Sequence, residues 1–263
     1  MQILDKEKEY EYFKKKVFEL TQIDLNAYKT HQIQRRLPFV MSKARAKNYV
    51  NYANILREDP VQLKQFVDWL TINVSEFFRD FQKFEELKKE ILPKLLKKVS
   101  KLKIWSAGCS NGAEPYSVAM VLDELTPYRR HEIIATDLDE KILNSARKGC
   151  YSLKDVRNVP AKLLDKCFIV DGEEVELKEE IKKRVVFKKH NLLKGKYETD
   201  FDLILCRNVV IYFTEESKKG IYGKFYNSLK SGGFLFAGNA ESILGASAFG
   251  FEMFMPSFYL KPE

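Results

Sequence analysis

The sequence predicts an α/β protein: a doubly wound, mostly parallel sheet, preceded by a small all-helical domain and carrying a small antiparallel β insert. Three observations predict it. As far as residue 72, apolar residues recur at helical spacing. From Leu102 onward short β-rich runs alternate with helical ones, KIWSA, EPYSVAMVLDEL, EIIATD and EKILNSARKG, the rhythm of parallel strands joined by crossover helices. Between Cys150 and Asn191 that rhythm fails, and Asp171-Gly172 stands between two extended runs.

In the first part, Tyr10, Phe13, Val17 and Leu20 mark one helical face, Tyr49, Tyr52, Ile55 and Leu56 a second, and Leu63, Phe66, Val67 and Leu70 a third. Polar turns near Asp24 and Asp59-Pro60 separate them. Pro38 interrupts the helix through Arg35 and Arg36, so a kink or a new helix is expected there. Residues 1–72 are read as this helical domain and 73–100 as a linker with a lead-in helix, Phe81 to Val99, that Pro93 bends. Residues 101–263 are read as the sheet domain, with the insert at about 151–190. In the insert CFIVDGEEVEL reads as a hairpin and RVVFKKHNL as its third strand. The chain closes with the strand FLFAG and a hairpin in FEMFMPSFYL.

The 263 residues carry a formal charge of +8, which suits an acidic partner. Between Asp24 and Glu58 there is no acidic residue, while Lys29, Arg35, Arg36, Lys43, Arg45, Lys47 and Arg57 fall there, so the helical domain carries a basic face. No apolar run is long enough to cross a bilayer and MQILDKEKEYE has no signal-peptide core, so a cytoplasmic protein that is not membrane-inserted is expected. The four cysteines are far apart, with no C-x-x-C pair and no histidine at ligand spacing, and read as buried free thiols; no metal is expected.

The stretch SAGCSNGAEP, directly after KLKIW, raises two readings. Gly108-Cys109-Ser110-Asn111-Gly112 fits G-x-S-x-G, the elbow that presents a hydrolase nucleophile. It equally fits a strand that runs into a glycine-rich ligand cradle. A hydrolase needs an acid and then a histidine after the serine and an oxyanion loop before it. Only His131 and His190 follow Ser110, and no such loop precedes it. A dinucleotide fold wants G-x-G-x-x-G, and here the glycines are four apart. What remains is a loop whose glycines let backbone approach a ligand, with Asp137 ending EIIAT two dozen residues later, where an acid reaches ribose hydroxyls. The loop has no Lys or Arg for a pyrophosphate, and Glu114 suits a cationic ligand. S-adenosylmethionine fits.

Taken together, NVSEFFRD, WSAGCSNGAEPYSVAM, ATDLD, HNLL and FDLILCRNVVIYF resemble the CheR-type chemotaxis receptor glutamate methyltransferases in order and spacing. The resemblance covers nearly the whole chain and implies a sheet of the class I methyltransferase type, with S-adenosylmethionine as cofactor and S-adenosylhomocysteine as product. It implies that Asn73, Ser75 and Arg79 lie over the active site and touch the cofactor. It implies that Glu114 and Asp137 hold the cofactor's polar groups and that Asn191, Leu192, Asn208 and Val209 border its adenine and methionine ends. Arg79 and Tyr212 would flank the methyl group and the incoming glutamate. Two features depart from the family pattern: Ala113 stands where the loop usually has a first acid, and Pro38 and Val40 interrupt a helix that in relatives often has another arginine.

From the residues alone, capping a helix near Glu76 is the favoured reading of Asn73 and Ser75, and Phe77 and Phe78 read as core. The resemblance implies O-methylation of glutamate side chains in the cytoplasmic helical region of membrane chemoreceptors, by a monomer that forms no stable nucleic-acid complex. Arg35, Arg36 and Lys43 would steer those acidic helices. The β insert resembles the family's β-subdomain, which in some members holds a receptor tail peptide by strand addition. The pI of about 9.1 leaves an RNA methyltransferase as the alternative acceptor class, and a cofactor-binding sensor as a third reading.

Overall fold

The computed structural model describes residues 2–71, 75–239, 241, 243 and 245–263, with backbone alone for residues 2–5. The chain divides into two compact units, Met1–Ile72 with Tyr212–Lys219, and Asn73–Ile211 with Gly220–Glu263.

The first unit holds α1 (Gln2–Thr21), α2 (Thr30–Lys43), α3 (Tyr49–Glu58) and α4 (Pro60–Thr71). Their apolar faces meet in an aromatic core: the Phe13 ring stacks on Tyr52 at 5.7 Å and meets Phe66 edge-on at 5.8 Å. Polar residues start the helices. Asn48 accepts the Asn51 N–H at 2.8 Å, and Asp59 accepts that of Val61 at 2.8 Å while Pro60 takes the first helical position, where its missing N–H costs nothing. Helix α2 continues through Pro38 to Lys43, so no new helix begins there. Buried Ile33 and Leu37 anchor it immediately before the proline, and that packing outweighs the one backbone hydrogen bond lost. The segment Tyr212–Lys219 is stitched to the loop after α1: Lys29 N–H donates to Tyr212 O at 2.9 Å, Thr214 N–H to Ala27 O at 2.9 Å, and Tyr28 and Phe213 pair in an antiparallel bridge.

In the second unit α5 (Phe81–Glu86) passes through a wide turn at Leu87–Ile91 into α6 (Leu92–Lys98). Leu92 N–H reaches back five residues to Leu87 O, and Pro93, which has no N–H to continue the ladder, follows directly. Strand β1 (Lys103–Ala107) leads through the loop 108–112 into α7 (Ala113–Leu125). Then come β2 (Glu132–Asp137), α8 (Glu140–Lys148), β3 (Cys150–Ser152), α9 (Ala161–Cys167), β4 (Phe168–Asp171), β5 (Glu174–Leu177), α10 (Glu179–Lys182), β6 (Val185–Lys189) and β7 (Phe201–Cys206). Helix α11 (Glu215–Ser228), β8 (Leu229–Ala237), β9 (Glu252–Met255) and β10 (Phe258–Leu260) complete the chain.

The main sheet has seven strands in the order β6-β2-β1-β7-β8-β10-β9, parallel from β6 to β8 and closed by the antiparallel β9–β10 hairpin. Successive strands run outward from β1 to β6 on one side and from β7 on the other, so the order reverses between β1 and β7, where α/β sheets bind ligands.

The second sheet, β3-β5-β4, is the antiparallel insert, and Gly172 makes its hairpin turn with φ +61°. Its membership differs from the expectation. RVVFKKHNL supplies β6, parallel to β2 with Val185 opposite Ile133, and the third insert strand is Cys150–Ser152. As an edge strand β6 buries Val185 and leaves its lysines in solvent, and that half-exposed alternation looks the same in sequence as an antiparallel strand. The insert therefore stops short of β6 instead of reaching residue 190.

Candidate functional site

The loop after β1 is held by its neighbours on two sides. Gly108 and Cys109 N–H groups both donate to Thr136 O, at 2.8 and 2.9 Å, which ties the loop to β2. Gly108 has φ +82°, and a Cβ there would stand 2.5 Å from Cγ2 of Val209. The loop after β1 and the turn after β7 thus touch at the switch point, and only glycine fits between them. Gly108→Ala is expected to cost about 2 kcal/mol or more, from overpacking and the left-handed backbone together, read as a lower denaturant midpoint at unchanged slope.

Ser110 also has positive φ, +50°, as a nucleophile elbow would. Its hydroxyl is buried and has no hydrogen-bond partner among the described residues, so none of them stands as a base to activate it. His131 lies at the opposite end of β2, where Leu102 N–H donates to its Nδ1 and Thr126 occupies Nε2. His190 directs Nε2 to Lys196 O at 3.3 Å. Burial pushes the thiols of Cys109 and Cys206 up, Asp137 and Glu114 adding to the effect at Cys109, so neither is a ready thiolate. Cys167 is buried as well, whereas Cys150, expected inside, is exposed because it starts the β3 edge strand.

Three carboxyls, Glu241 buried and Asp137 and Glu114 partly buried, end strands or follow them. Asp137 closes β2; its Oδ2 accepts Ser110 N–H at 2.9 Å and its Oδ1 that of Asp139 at 3.1 Å, and no cation pairs with it in these contacts. Glu114, in the first turn of α7, accepts from the Ser106 hydroxyl at 2.8 Å and from Arg207 at 3.3 Å. Glu241 follows β8 and gathers the amides of Asn208 (2.6 Å), Gly238 (2.9 Å) and Ile211 (3.3 Å). Burial raises the pKa of each above the ordinary carboxylate range, against the lowering effect of Arg207 on Glu114 and of backbone amides on the other two.

Arg207 is the hub. Its side chain is 2% exposed, and besides Glu114 it donates to Asp80 Oδ2 and to the Arg79 carbonyl, both at 2.8 Å. The guanidinium also lies over the rings of Phe236 and Phe84, at 4.7 and 5.4 Å. Phe78 and Asp80 have φ of +51° and +59°, an uncommon conformation for an aromatic residue. The turn keeps it because Phe77 N–H is held by Asp155 O (2.9 Å), Phe78 N–H by the Ser117 hydroxyl (3.0 Å), and the Arg79 carbonyl by Arg207. Phe77 packs against Tyr151 and Phe168 of the insert, and Tyr151 donates to Asn111 O in the loop at 2.8 Å.

Of the residues expected from sequence, Ser75, Arg79, Glu114, Asp137, Asn208 and Val209 belong to this end of the second unit. Ser75 caps no helix, since the next begins at Phe81; its carbonyl accepts from Asn111. Arg79 is half-buried, and its charge acts on Glu114 to lower that carboxyl's pKa. Asn191 and buried Leu192 follow β6; the Asn191 side chain accepts Leu193 N–H at 2.9 Å and shapes the turn. Asn73 lies outside the described residues. Tyr212 belongs to the first unit, as do Arg35, Arg36 and Lys43. Arg35 and Lys43 are exposed, whereas Arg36 donates to Trp69 O at 2.9 Å and stacks on that indole.

Sequence reasoning passed over Arg207 and Glu241. The available signal was a charged residue soon after a largely apolar strand, FDLILC directly before Arg207 and FLFA shortly before Glu241. What the cluster can do follows from its charges. Carboxyls outnumber the cations beside them, and Ser110 presents a hydroxyl unmet among the described residues, so the donor set fits a cationic ligand carrying hydroxyls and suits neither acyl transfer nor phosphate.

Comparison with known proteins agrees. Residues 73–255 match the family described as CheR methyltransferase, SAM binding domain, and residues 8–71 the one described as CheR methyltransferase, all-alpha domain. A chemotaxis protein methyltransferase of Listeria monocytogenes is 38% identical over 98% of this chain and 99% of its own length. One from Borreliella burgdorferi is 37% identical, covering 91% of this chain and 89% of its own. Chemotaxis protein methyltransferase 1 of Pseudomonas aeruginosa is 34% identical, covering 84% and 85%.

Proposed function

The chain belongs to the CheR methyltransferase family, and its cofactor is S-adenosylmethionine; from that premise we propose that it methylates glutamate side chains of chemoreceptors, forming protein-glutamate methyl esters. The observation that carries this reading is a site of carboxyls and arginines that shows, among the described residues, neither an activated serine or thiol nucleophile nor a histidine base. A glutamate acceptor needs neither, because its carboxylate, with a pKa of about 4.3, is ionised at neutral pH. An RNA acceptor has no support from the relatives named above.

When bound, the cofactor supplies a methyl group on a positively charged sulfur, which a carboxylate oxygen takes as the carbon–sulfur electron pair returns to a neutral thioether, with no proton moved. The chain's residues bind and orient. We assign Asp137 to the ribose hydroxyls, Glu114 to the ligand's cationic end, and Asn191, Leu192, Asn208 and Val209 to the walls beside the adenine and methionine ends; Ser75, and Asn73 by resemblance alone, complete them. Arg79 holds the acceptor carboxylate from one side. A tight bidentate clamp would stabilise the anion before reaction and slow its attack, so a loose contact serves better. Tyr212 is carried by resemblance alone. Exposed Arg35 and Lys43 supply long-range attraction for acidic receptor helices, whereas Arg36 is spent on Trp69.

Incubation with cofactor labelled in its methyl group, a receptor cytoplasmic fragment and RNA tests the reading. Label that leaves the protein fraction as methanol under mild base is expected. Label in RNA, or none in either, overturns it.

Acid should weaken cofactor binding. Burial holds Glu114 and Asp137 above the ordinary carboxylate values of about 4.3 and 3.9. A cation is best held by the ionised forms, so affinity is expected to fall several-fold between pH 7 and pH 5 by calorimetry. Their effect on fold stability has the opposite sign: a raised acid pKa favours the fold below the ordinary carboxylate range, and that contribution is lost as pH rises through the folded value.

A further inference from the structure

The amino ends of three strands in the second unit, remote from the site above, border a half-open cavity of 270 Å³. Lys101 precedes β1, Arg130 and Glu132 lead into β2, and Lys183 and Arg184 lead into β6. The strands run parallel, so this is the end opposite Asp137 and Asn191, five residues or about 16 Å along β2. Helix α7 lines the cavity with Ala119 and Leu122, well past the first turn that carries Glu114.

Four cations line the cavity against one acid, Glu132. Lys101, Arg130 and Lys183 form no ion pair among the described residues. Arg184 is held by the Asp123 carboxylate, which Lys166 also contacts at 2.6 Å, so its guanidinium is fixed and only 13% exposed. Its Nε–H is buried without an acceptor. A buried guanidinium N–H left unpaired is costly, and the shortfall is of acceptors beside a surplus of positive charge. The crowding registers on His131 at the cavity wall: burial first, then Arg129, Arg184 and Lys101, hold its pKa below the usual imidazole range.

We propose that this cavity binds the phosphate group of a small phosphate ester, with Arg184 as its fixed donor and Lys101, Arg130 and Lys183 closing around the remaining oxygens. A phosphate offers several acceptor oxygens and up to two negative charges, which match a fixed guanidinium and three unpaired cations better than a single carboxylate does. The volume lies below the roughly 300–1,000 Å³ of ordinary ligand clefts, so the ester carries a small organic part that rests on Ala119 and Leu122. The inference is independent of the acceptor proposed above.

The test titrates the full chain with inorganic phosphate at constant ionic strength, and separately with phosphatidylglycerol vesicles, phosphatidylcholine vesicles serving as control. Saturable phosphate binding is expected, weakened about tenfold or more in Lys183→Glu with Arg130→Glu, a double variant of residues outside the methyl-transfer site. Unchanged thermal unfolding and cofactor affinity show that variant to be folded, and Arg184→Lys, which keeps the charge and loses the fork, gives a second reading. Binding of phosphatidylglycerol vesicles that phosphate competes away assigns the ester to a lipid headgroup. Phosphate binding without vesicle binding assigns it to a soluble ligand. Failure to saturate with either probe, or equal binding by wild type and double variant, overturns the proposal.

Discussion

Arg207→Met is expected to lower the stability of the second unit by about 3–5 kcal/mol and to abolish cofactor binding, because it strips a buried ion pair of one partner. Methionine roughly preserves the packing against Phe84 and Phe236. What it cannot replace are three acceptors that lose a donor together: the Glu114 carboxylate, the Asp80 carboxylate and the Arg79 carbonyl. Glu114, already disfavoured as an anion by burial, would take up a proton more readily, and the strained turn at Phe78–Asp80 would lose its tie to β7. Chemical denaturation and cofactor titration read both effects. Near-native stability with intact binding would show that Arg207 is a packing residue and not the hub of the site.

Arg79→Ala is expected to leave the fold and the cofactor affinity within about threefold of the wild type while lowering kcat about a hundredfold or more, the scale seen when one donor is removed from a transition state. The two arginines separate cleanly, because Arg207 is bound to the carbonyl of residue 79, which the substitution retains. The side chain of Arg79 is half-buried and acts on Glu114 only as a nearby charge. Single-turnover methylation with saturating cofactor isolates the effect. Equal loss of cofactor affinity and turnover would mean that Arg79 belongs to the cofactor and not to the acceptor carboxylate.

Much of the site was legible because its chemistry sits where one strand hands over to a loop. The alternation of apolar runs placed β1, β2, β7 and β8, and with them Gly108, Asp137 and Asn208 at strand ends. Two features were misread for related reasons. Strand β6 looks antiparallel because it is an edge, and the new helix that Pro38 allows does not begin, because the packing of Ile33 and Leu37, which cannot be weighed from spacing, carries α2 through. Ser110 was ambiguous in sequence, since a nucleophile and a cradle residue share the same turn. Its hydroxyl has no base beside it among the described residues, which favours the cradle.

By itself the sequence determined the order of the elements, the glycines that backbone geometry demands, and the basic character of the helical region, all properties of residues within one turn or strand of each other. Only the tertiary structure decided that Arg207 joins Glu114 to the turn at Arg79, residues separated by 93 and 128 positions in the chain, and that Glu241 gathers the amides of the turn at Asn208. The physical reason is that a buried charge has no local signature. It is tolerable only where distant segments supply its partners, and those partners exist only once the sheet has brought the strand ends together.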